Sequence, residues 1–568
     1  MNQSSQLNQM NGAEALVQML AGHGVDYIFG LCGDTSLPFY DALHRLNHGM
    51  THILSRDERS AAYMADGYAR VSGKVGVCEG PSGGGATYIA PGLVEANESS
   101  IPILAITTDI GVGSRGRYAL TELDQSALFK PLTKWNGVIE RAEDVPKMLR
   151  AAFREMTTGR PGAAHLALPF DVQQSAVDPA DIWYDEDLGR YPAWPTGPNP
   201  AAIAKLAEVL LAAKNPLIVC GGGVVLAGAE GGLIRLIEQL KIPVATTISG
   251  KGSIPEDHPL ALGVVGGNGG VPETRAFMEA ADLILMIGCR AGSVTTERWR
   301  YPAPGASLIA HIDSDPAVIG ANYPTAAAVV GDAKLALAAL NAEIGTPTPP
   351  ARDLNEAAVT AAKTAKFQAF HALAQSDERP IRPERLVATL SELLDDTSVV
   401  IADPGTPCPY LSAYYPVLRA GRQFFSNRAH GALGYSLPAA VGACYGRPGA
   451  KVVAVMGDGS FGFNAGELET VVRLGLPITF VVVSNGVFGW IKAGQKSGFD
   501  ERYFSVDFST TDHTKVAEAF GLQAWRVEDP GELRSKMEAA LNCPGPSLID
   551  VICQPLQEAN APVSEWVA

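Results

Sequence analysis

The chain contains no stretch of about eighteen uninterrupted apolar residues, the length that crosses a bilayer as a helix. Its opening, MNQSSQLNQMNGAEALVQML, has no basic segment leading into an apolar core. Both absences point to a cytoplasmic protein with no membrane span. Basic charge is also scarce: 44 Lys and Arg stand against 60 Asp and Glu, a formal net charge of -16. With no Lys/Arg block interleaved with aromatics to neutralise phosphates, nucleic acid is not an expected partner. The eight cysteines are scattered singly, without a CxxC pair or a zinc spacing. That argues against a disulfide framework and a thiolate metal site, and for reduced thiols inside apolar runs.

What is present is a large apolar inventory, 46% of 568 residues, too long a chain for one core and suited to two to four domains. Short apolar strands alternate with helical patterns along it. GVDYIFG, GVCEG, IPILAIT and AAHLALP come first. After the proline-rich YPAWPTGPNP come PLIVCGGG, IPVATTIS, DLILMIGC and SLIAHID. After a second connection, TPTPPARDLNEAAV, come SVVIADPG, FFSNRAHGALG, KVVAVMGDG, PITFVVVSNG and PSLIDVIC. Such alternation predicts parallel sheets covered by helices on both faces. The expected fold class is α/β, with three doubly wound parallel-sheet domains at 1–190, 191–345 and 381–568 and a linker at 346–380.

KVVAVM ends at Gly-Asp-Gly, and ITFVVV ends at Ser-Asn-Gly. As buried parallel strands they would put Asp458 and Asn485 at the carboxyl edge of one sheet, where ligands bind in open α/β folds. An Asp carboxylate, an Asn amide oxygen and a main-chain carbonyl are hard oxygen donors of the kind Mg²⁺ accepts beside a diphosphate. Gly457 and Gly459 let backbone N–H groups approach phosphate oxygens, and a helix begun near Asn464 would add its positive end. GDGSF, followed one helix later by Asn485, resembles the signature of thiamine diphosphate (ThDP) enzymes.

Over nearly its whole length the chain is similar to the acetohydroxyacid (acetolactate) synthase and pyruvate oxidase group of these enzymes, to which 2-hydroxyacyl-CoA lyases are related. The resemblance implies a first domain that binds the cofactor's aminopyrimidine, a third that binds its diphosphate, and a middle one that carries FAD or an ADP or CoA moiety. It places the metal on Asp458, Asn485 and the main-chain oxygen of Val487. It sets Gly405 and Thr406 of ADPGT, with Gly457, Gly459 and Ser460, along the diphosphate. SRDERSAAYMADGYAR resembles the segment that carries the family's glutamate, here Glu58. Its carboxyl would bond a pyrimidine nitrogen and shuttle the proton between the cofactor's amino and imino forms. Asp57 and Arg59 stand where His and Gln are usual; Arg59 would meet an anionic substrate group or pair with Asp57 or Glu58.

RAHGALGYSLPAAVGA resembles the segment whose bulky apolar residue, here Leu433, wedges between the cofactor's two rings while the Gly431 carbonyl accepts from the exocyclic amine. Arg428 and His430 occupy places that are glycine or apolar in the synthases. FGLCGDTSLPFYDAL offers Asp34 as a proton-transfer acid or base, or as an Asx-turn cap. Glu58, Asp34, Arg59 and His430 are thus the candidate catalytic residues. In VFGWIKAGQ, Gly494 stands where the oxidases carry Glu and the synthases a substrate-facing Trp, a loss expected to widen the pocket. GKGSIPEDHPLALGVVG, GCRAGSVTTERW and HIDSDPAVIG resemble flavin-binding synthase segments, with Arg290 at a nucleotide contact and Asp313 or Asp315 near a ribose.

The implied activity is decarboxylation of a 2-oxo acid and transfer of its acyl unit to a second carbonyl, as in acetolactate synthase. Gly494 and Arg59 favour an alternative, a 2-hydroxyacyl-CoA lyase of the oxalyl-CoA decarboxylase kind. A non-catalytic regulatory or scaffold homologue would be marked by loss of Glu58, Asp458 or Asn485, and all three are present. The family divides each site between subunits, so a homodimer or a dimer of dimers is expected.

Overall fold

Three six-stranded sheets, in each of which every pairing is parallel, carry the chain in a computed structural model that describes residues 10–345, 355–564 and 566. β1 (Met10–Asn11) and β8 (Ala176–Val177), which flank the first sheet in sequence, pair as a short antiparallel ribbon. That sheet contains β2 (Tyr27–Gly30), β3 (Thr51–Leu54), β4 (Gly76–Gly80), β5 (Ile103–Asp109), β6 (Trp135–Val138) and β7 (Ala164–Pro169), arranged β3-β2-β4-β5-β7-β6. The second contains β9 (Pro216–Cys220), β10 (Val244–Thr246), β11 (Ala261–Val264), β12 (Leu283–Ile287), β13 (Leu308–Asp313) and β14 (Thr325–Val330), arranged β11-β10-β9-β12-β13-β14. The third contains β15 (Val399–Ala402), β16 (Phe424–Ser426), β17 (Val452–Gly457), β18 (Ile478–Ser484), β19 (Gln523–Val527) and β20 (Ser547–Ile552), arranged β16-β15-β17-β18-β20-β19. The α/β class with three parallel sheets is therefore as expected. The first and third sheets share one order of strands, whereas the second is wound outward in both directions from the boundary between β9 and β12.

The central strands owe their place to composition. LILMI in β12 and ITFVVVS in β18 are buried from end to end, as strands covered on both faces are. Within the stretch expected to be a linker, residues 355–374 form the helix Asn355–Ala374. Its buried Val359, Lys366, Phe370 and Ala374 fall on one stripe of an alanine-rich sequence. Residues 346–354 of that connection lie outside the described residues. All eight cysteines are free thiols; five are buried and Cys32 is exposed. No described helix is long and apolar enough to cross a membrane.

By its internal contacts the chain divides into two compact units. One comprises the residues up to Trp194 with Ala429–Pro448 and Glu469–Arg473; the other comprises Pro195–Arg428, Gly449–Leu468 and Leu474–Ala568. Inside the first unit the helix Ser436–Gly446 lies directly on the helix Glu58–Ser72. Small residues permit this. A Cβ on Gly442 would come within 1.9 Å of the Met64 carbonyl oxygen, and one on Gly67 within 2.3 Å of the Ala439 oxygen, so the two backbones touch.

Candidate active site

In the second unit, β17 and β18 pair in register from Val452 with Ile478 to Gly457 with Val483. Their polar tips therefore share one sheet edge. The helix after β17 begins at Asp458 itself and runs to Asn464, rather than beginning near Asn464 as expected. Gly457 is its extended N-cap, and Asp458 takes the first helical position, where a carboxylate suits the positive end of the helix. Asp458 Oδ1 accepts the Gly459 N–H at 2.8 Å, and Oδ2 accepts those of Asn485 and Gly486 at 2.7 Å each. One carboxylate thus clips the two strand tips together. Burial raises its pKa, against the pull of these three donors.

Asn485 Oδ1 is buried and meets no donor among the described residues. Leaving such an oxygen unsatisfied costs about 1–3 kcal/mol. A cation supplied from outside would remove that penalty, and the remaining lone pairs of Asp458 and the carbonyl of Val487, two residues on, would complete an oxygen-only donor set of the kind Mg²⁺ takes. The residues fit the metal that the resemblance implies. Beside them, the chain leaving β15 reaches Gly405, whose φ of +95° favours glycine, and the buried Thr406 that opens the helix Pro407–Tyr414. Asp403, fully buried, receives the Ser460 hydroxyl. Since β15, β17 and β18 are neighbours, the segments carrying Gly405, Asp458 and Asn485 lie side by side along one edge. Gly459 packs under Phe488, whose ring would lie 2.8 Å from a Cβ there.

In the first unit, Glu58 is the first residue of the helix Glu58–Ser72. Asp57 caps it by accepting the Arg59 N–H at 2.7 Å and the Ser60 N–H at 3.2 Å. Glu58 is 8% exposed, and burial raises its pKa. Its carboxyl fits because Gly80 and Gly85 lack side chains: a Cβ on them would lie 3.2 Å from Glu58 Cγ and 3.1 Å from its Oε1, respectively. Of the pairings open to Arg59, the structure contains the one with Asp57, at 3.5 Å. Asp34 is exposed and accepts the Thr35 N–H at 2.9 Å as it opens the turn Asp34–Ser36, the local capping geometry.

Gly431, at φ +71°, and the half-buried Leu433 lead into the helix Ser436–Gly446. The loop before them hangs from Glu95, which accepts the N–H of Ala429 at 3.4 Å and of His430 at 2.8 Å; the His430 residue is otherwise exposed. Glu95 is paired with Arg70 at 3.1 Å, Arg70 with Asp66 at 2.7 Å, and Asp66 receives the Tyr435 hydroxyl. Asp66, Arg70 and Glu95 escaped the sequence reading. Their one signal was charge within helical segments rich in small and apolar residues, which in a buried place demands a partner.

Gly494 lies in the helix Gly489–Gly498, and the space beside it is filled. A Cβ there would lie 3.5 Å from the backbone oxygen of Trp566 and 3.8 Å from its Cβ, and the Trp566 ring packs on Trp490 at 5.1 Å. The side chain that Gly494 lacks would therefore stand next to Trp566. Main-chain bonds from Gly269 to Pro562 and from Ser564 to Gly267 hold that segment in place.

In the middle sheet, Arg290 follows β12 and Asp313 ends β13, accepting the Asp315 N–H at 2.9 Å. These are carboxyl ends next to the point where strand order reverses, the usual ligand crevice of a doubly wound sheet. There the run Gly221–Gly223, unassigned from sequence, meets Gly288 so closely that a Cβ on Gly221 would lie 2.0 Å from the Gly288 oxygen.

Three family models match along this architecture: a thiamine pyrophosphate enzyme N-terminal TPP binding domain over residues 10–128, a central domain over 203–340 and a C-terminal TPP binding domain over 403–551. The chain is 36% identical to a probable acetolactate synthase large subunit of Methanocaldococcus jannaschii, covering 96% of this chain and 93% of that one. It is 32% identical to the acetolactate synthase large subunit of Haemophilus influenzae and to the isozyme 3 large subunit of Escherichia coli, each over 94% of this chain and 93% of the relative. With the sheet order, the Asp458 clip and these matches together, the chain belongs to the thiamine diphosphate-dependent decarboxylases and carboligases of the acetolactate synthase large-subunit family.

Proposed function

We propose that this enzyme uses ThDP and Mg²⁺ to decarboxylate a 2-oxo acid and pass the acyl unit to a second carbonyl, in the manner of acetolactate synthase. The observation that carries the reading is Asn485 Oδ1, buried without a donor among the described residues, beside Asp458 at the tips of two adjacent strands. When bound, the cofactor supplies the electron sink that lets a 2-oxo acid lose CO₂. Asp458, Asn485 and the Val487 oxygen hold the metal, and Gly405, Thr406, Gly457, Gly459 and Ser460 line the diphosphate. Gly431 and Leu433 orient the cofactor's rings. Glu58 holds a proton for a pyrimidine nitrogen. The burial that raises its pKa keeps that proton in place to higher pH than on a free side chain, closer to the pH at which it is exchanged.

Asp34, Arg59 and His430 are assigned to substrate handling, and the crevice near Arg290 and Asp313 to a flavin or an ADP-type nucleotide. Trp566 beside Gly494 weakens the case for a bulky thioester substrate and leaves the synthase-like reaction ahead of the 2-hydroxyacyl-CoA lyase. We assign residues 1–190, 191–345 and 381–568 to the pyrimidine, nucleotide and diphosphate roles, and a cytoplasmic homodimer or dimer of dimers to the active unit. Calorimetry of the cofactor-free protein tests the core of the reading: ThDP binds only with Mg²⁺, pyruvate then gives acetolactate, and Glu58→Ala abolishes turnover while ThDP still binds. No magnesium-dependent binding would overturn it. Mixing Glu58→Ala with Asp458→Ala chains under subunit exchange restores activity if one site draws the two residues from different chains.

A further inference from the structure

Behind the exposed turn at Asp34 lies a carboxyl to which the reading above gives no task. Glu79, next to the end of β4, has no exposed surface. It faces Gly30 of β2, where a Cβ would lie 2.8 Å from its Oε2, so the sheet makes room for this acid as it does for Glu58. Oε1 accepts the Ser36 hydroxyl at 2.6 Å and Oε2 the Tyr40 hydroxyl at 2.7 Å. The Tyr40 oxygen in turn meets His52 Nε2 at 2.9 Å. This chain can be polarised two ways. With Glu79 charged, His52 donates to Tyr40 and Tyr40 to Glu79; with Glu79 protonated on Oε2, both bonds reverse.

The ionisable groups around Glu79 are Tyr40 of the helix Leu37–Arg45, His52 of β3, Cys32 after β2, Cys78 beside it on β4, and Glu58 at the head of its helix. None of them is a permanent cation. Burial and the Glu58 charge push the Glu79 pKa up to about 7, although the Ser36 and Tyr40 hydroxyls favour its charged form. Burial lowers that of His52 to about 4, so the imidazole is neutral where Glu79 titrates. Glu58 is close: its Cγ lies 3.2 Å from where a Cβ on Gly80, the next residue after Glu79, would stand.

We propose that Glu79 is a positioning residue for Glu58, a second carboxyl that keeps its proton within the Ser36, Tyr40 and His52 network so that Glu58 can exchange a proton beside a neutral neighbour. This rests on the role given to Glu58 above. Once Glu79 is ionised, two negative charges share one enclosed region. The pair then titrates as a coupled system in which a charged Glu58 is disfavoured. Activity accordingly declines as pH rises through the ionisation of Glu79.

The test is an infrared titration of protonated carboxyl groups in the full-length, cofactor-free protein between about pH 5 and pH 9. One carboxyl should titrate with a midpoint of about 7. Its band should be lost in Glu79→Gln. The midpoint should move to lower pH in Glu58→Gln, where the negative neighbour is gone, and to higher pH in Tyr40→Phe, where a donor to the charged form is gone. Should Glu79→Gln fail to fold by circular dichroism, the two opposite shifts carry the assignment. In the active enzyme, Glu79→Gln should remove the alkaline limb of the kcat/KM profile. A midpoint that Glu58→Gln leaves in place, or no carboxyl titrating near neutrality, would overturn the proposal. None of the infrared readouts needs the cofactor, so failure of ThDP binding would sink the functional reading by a separate result.

Discussion

Gly442→Ala tests whether the backbone contact between the helices Glu58–Ser72 and Ser436–Gly446 positions the chemistry. The new methyl would lie 1.9 Å from the Met64 oxygen, 2.7 Å from the Tyr68 nitrogen and 2.8 Å from the Met64 carbonyl carbon. These are main-chain atoms, so no side chain can swing aside. Restoring ordinary contact requires the helices to part by about 1.5 Å, and overpacking of this kind costs about 1–3 kcal/mol. Replacing a mid-helix glycine returns about 1 kcal/mol of helix propensity. The net loss is then up to about 2 kcal/mol, or a fall in melting temperature of up to about 8 °C for a unit of this size. One helix begins at Glu58 and the other follows Gly431 and Leu433, so separating them also misplaces those groups. A displacement near 1 Å can cost about 10²-fold in rate. Circular dichroism melts, ThDP calorimetry and turnover report the three effects. Gly84→Ala is the control: nothing lies within 4 Å of its Cβ position, and the melt should stay within about 0.5 kcal/mol of the parent. A Gly442→Ala protein with parental melting and parental turnover would refute the reasoning.

Asn485→Leu removes a buried oxygen that has no partner among the described residues, so the cofactor-free melting temperature should not fall, while magnesium-dependent ThDP binding by calorimetry should be lost. Arg70→Met strands Asp66 and Glu95 as buried carboxylates and should destabilise the first unit by about 3–5 kcal/mol in thermal melts. Glu79 makes the first unit's stability depend on pH. Its folded pKa is raised, so the contribution is complete below the ordinary glutamate value near 4.5 and is lost as pH rises through about 7. Hydrogen exchange of the first sheet should show that decline, at most about 3 kcal/mol, and Glu79→Gln should flatten it.

Every interior strand of the three sheets was legible in the sequence, because a strand covered on both faces is predominantly apolar even where, as at Glu79 in β4, it buries one acid. The five that were not, β3, β6, β11, β14 and β19, are all sheet edges. There THIL keeps one buried residue and WNGV none, so neither a long apolar run nor a clean alternation marks them. Asp458 and Asn485 were legible for a related reason: a polar residue beside glycine at the end of a wholly apolar strand has few local explanations. The sequence by itself thus determined the sheets, the three-part order and the chemical character of the strand tips. Tertiary structure alone decided that residues 429–448 join the first unit, that Arg59 pairs with Asp57, that Trp566 occupies the space beside Gly494, and that Glu79 is sealed between Ser36 and Tyr40. Local periodicity records how much of a residue is buried; the partner it meets across tens or hundreds of residues is set by packing, and with it the pKa and the chemistry.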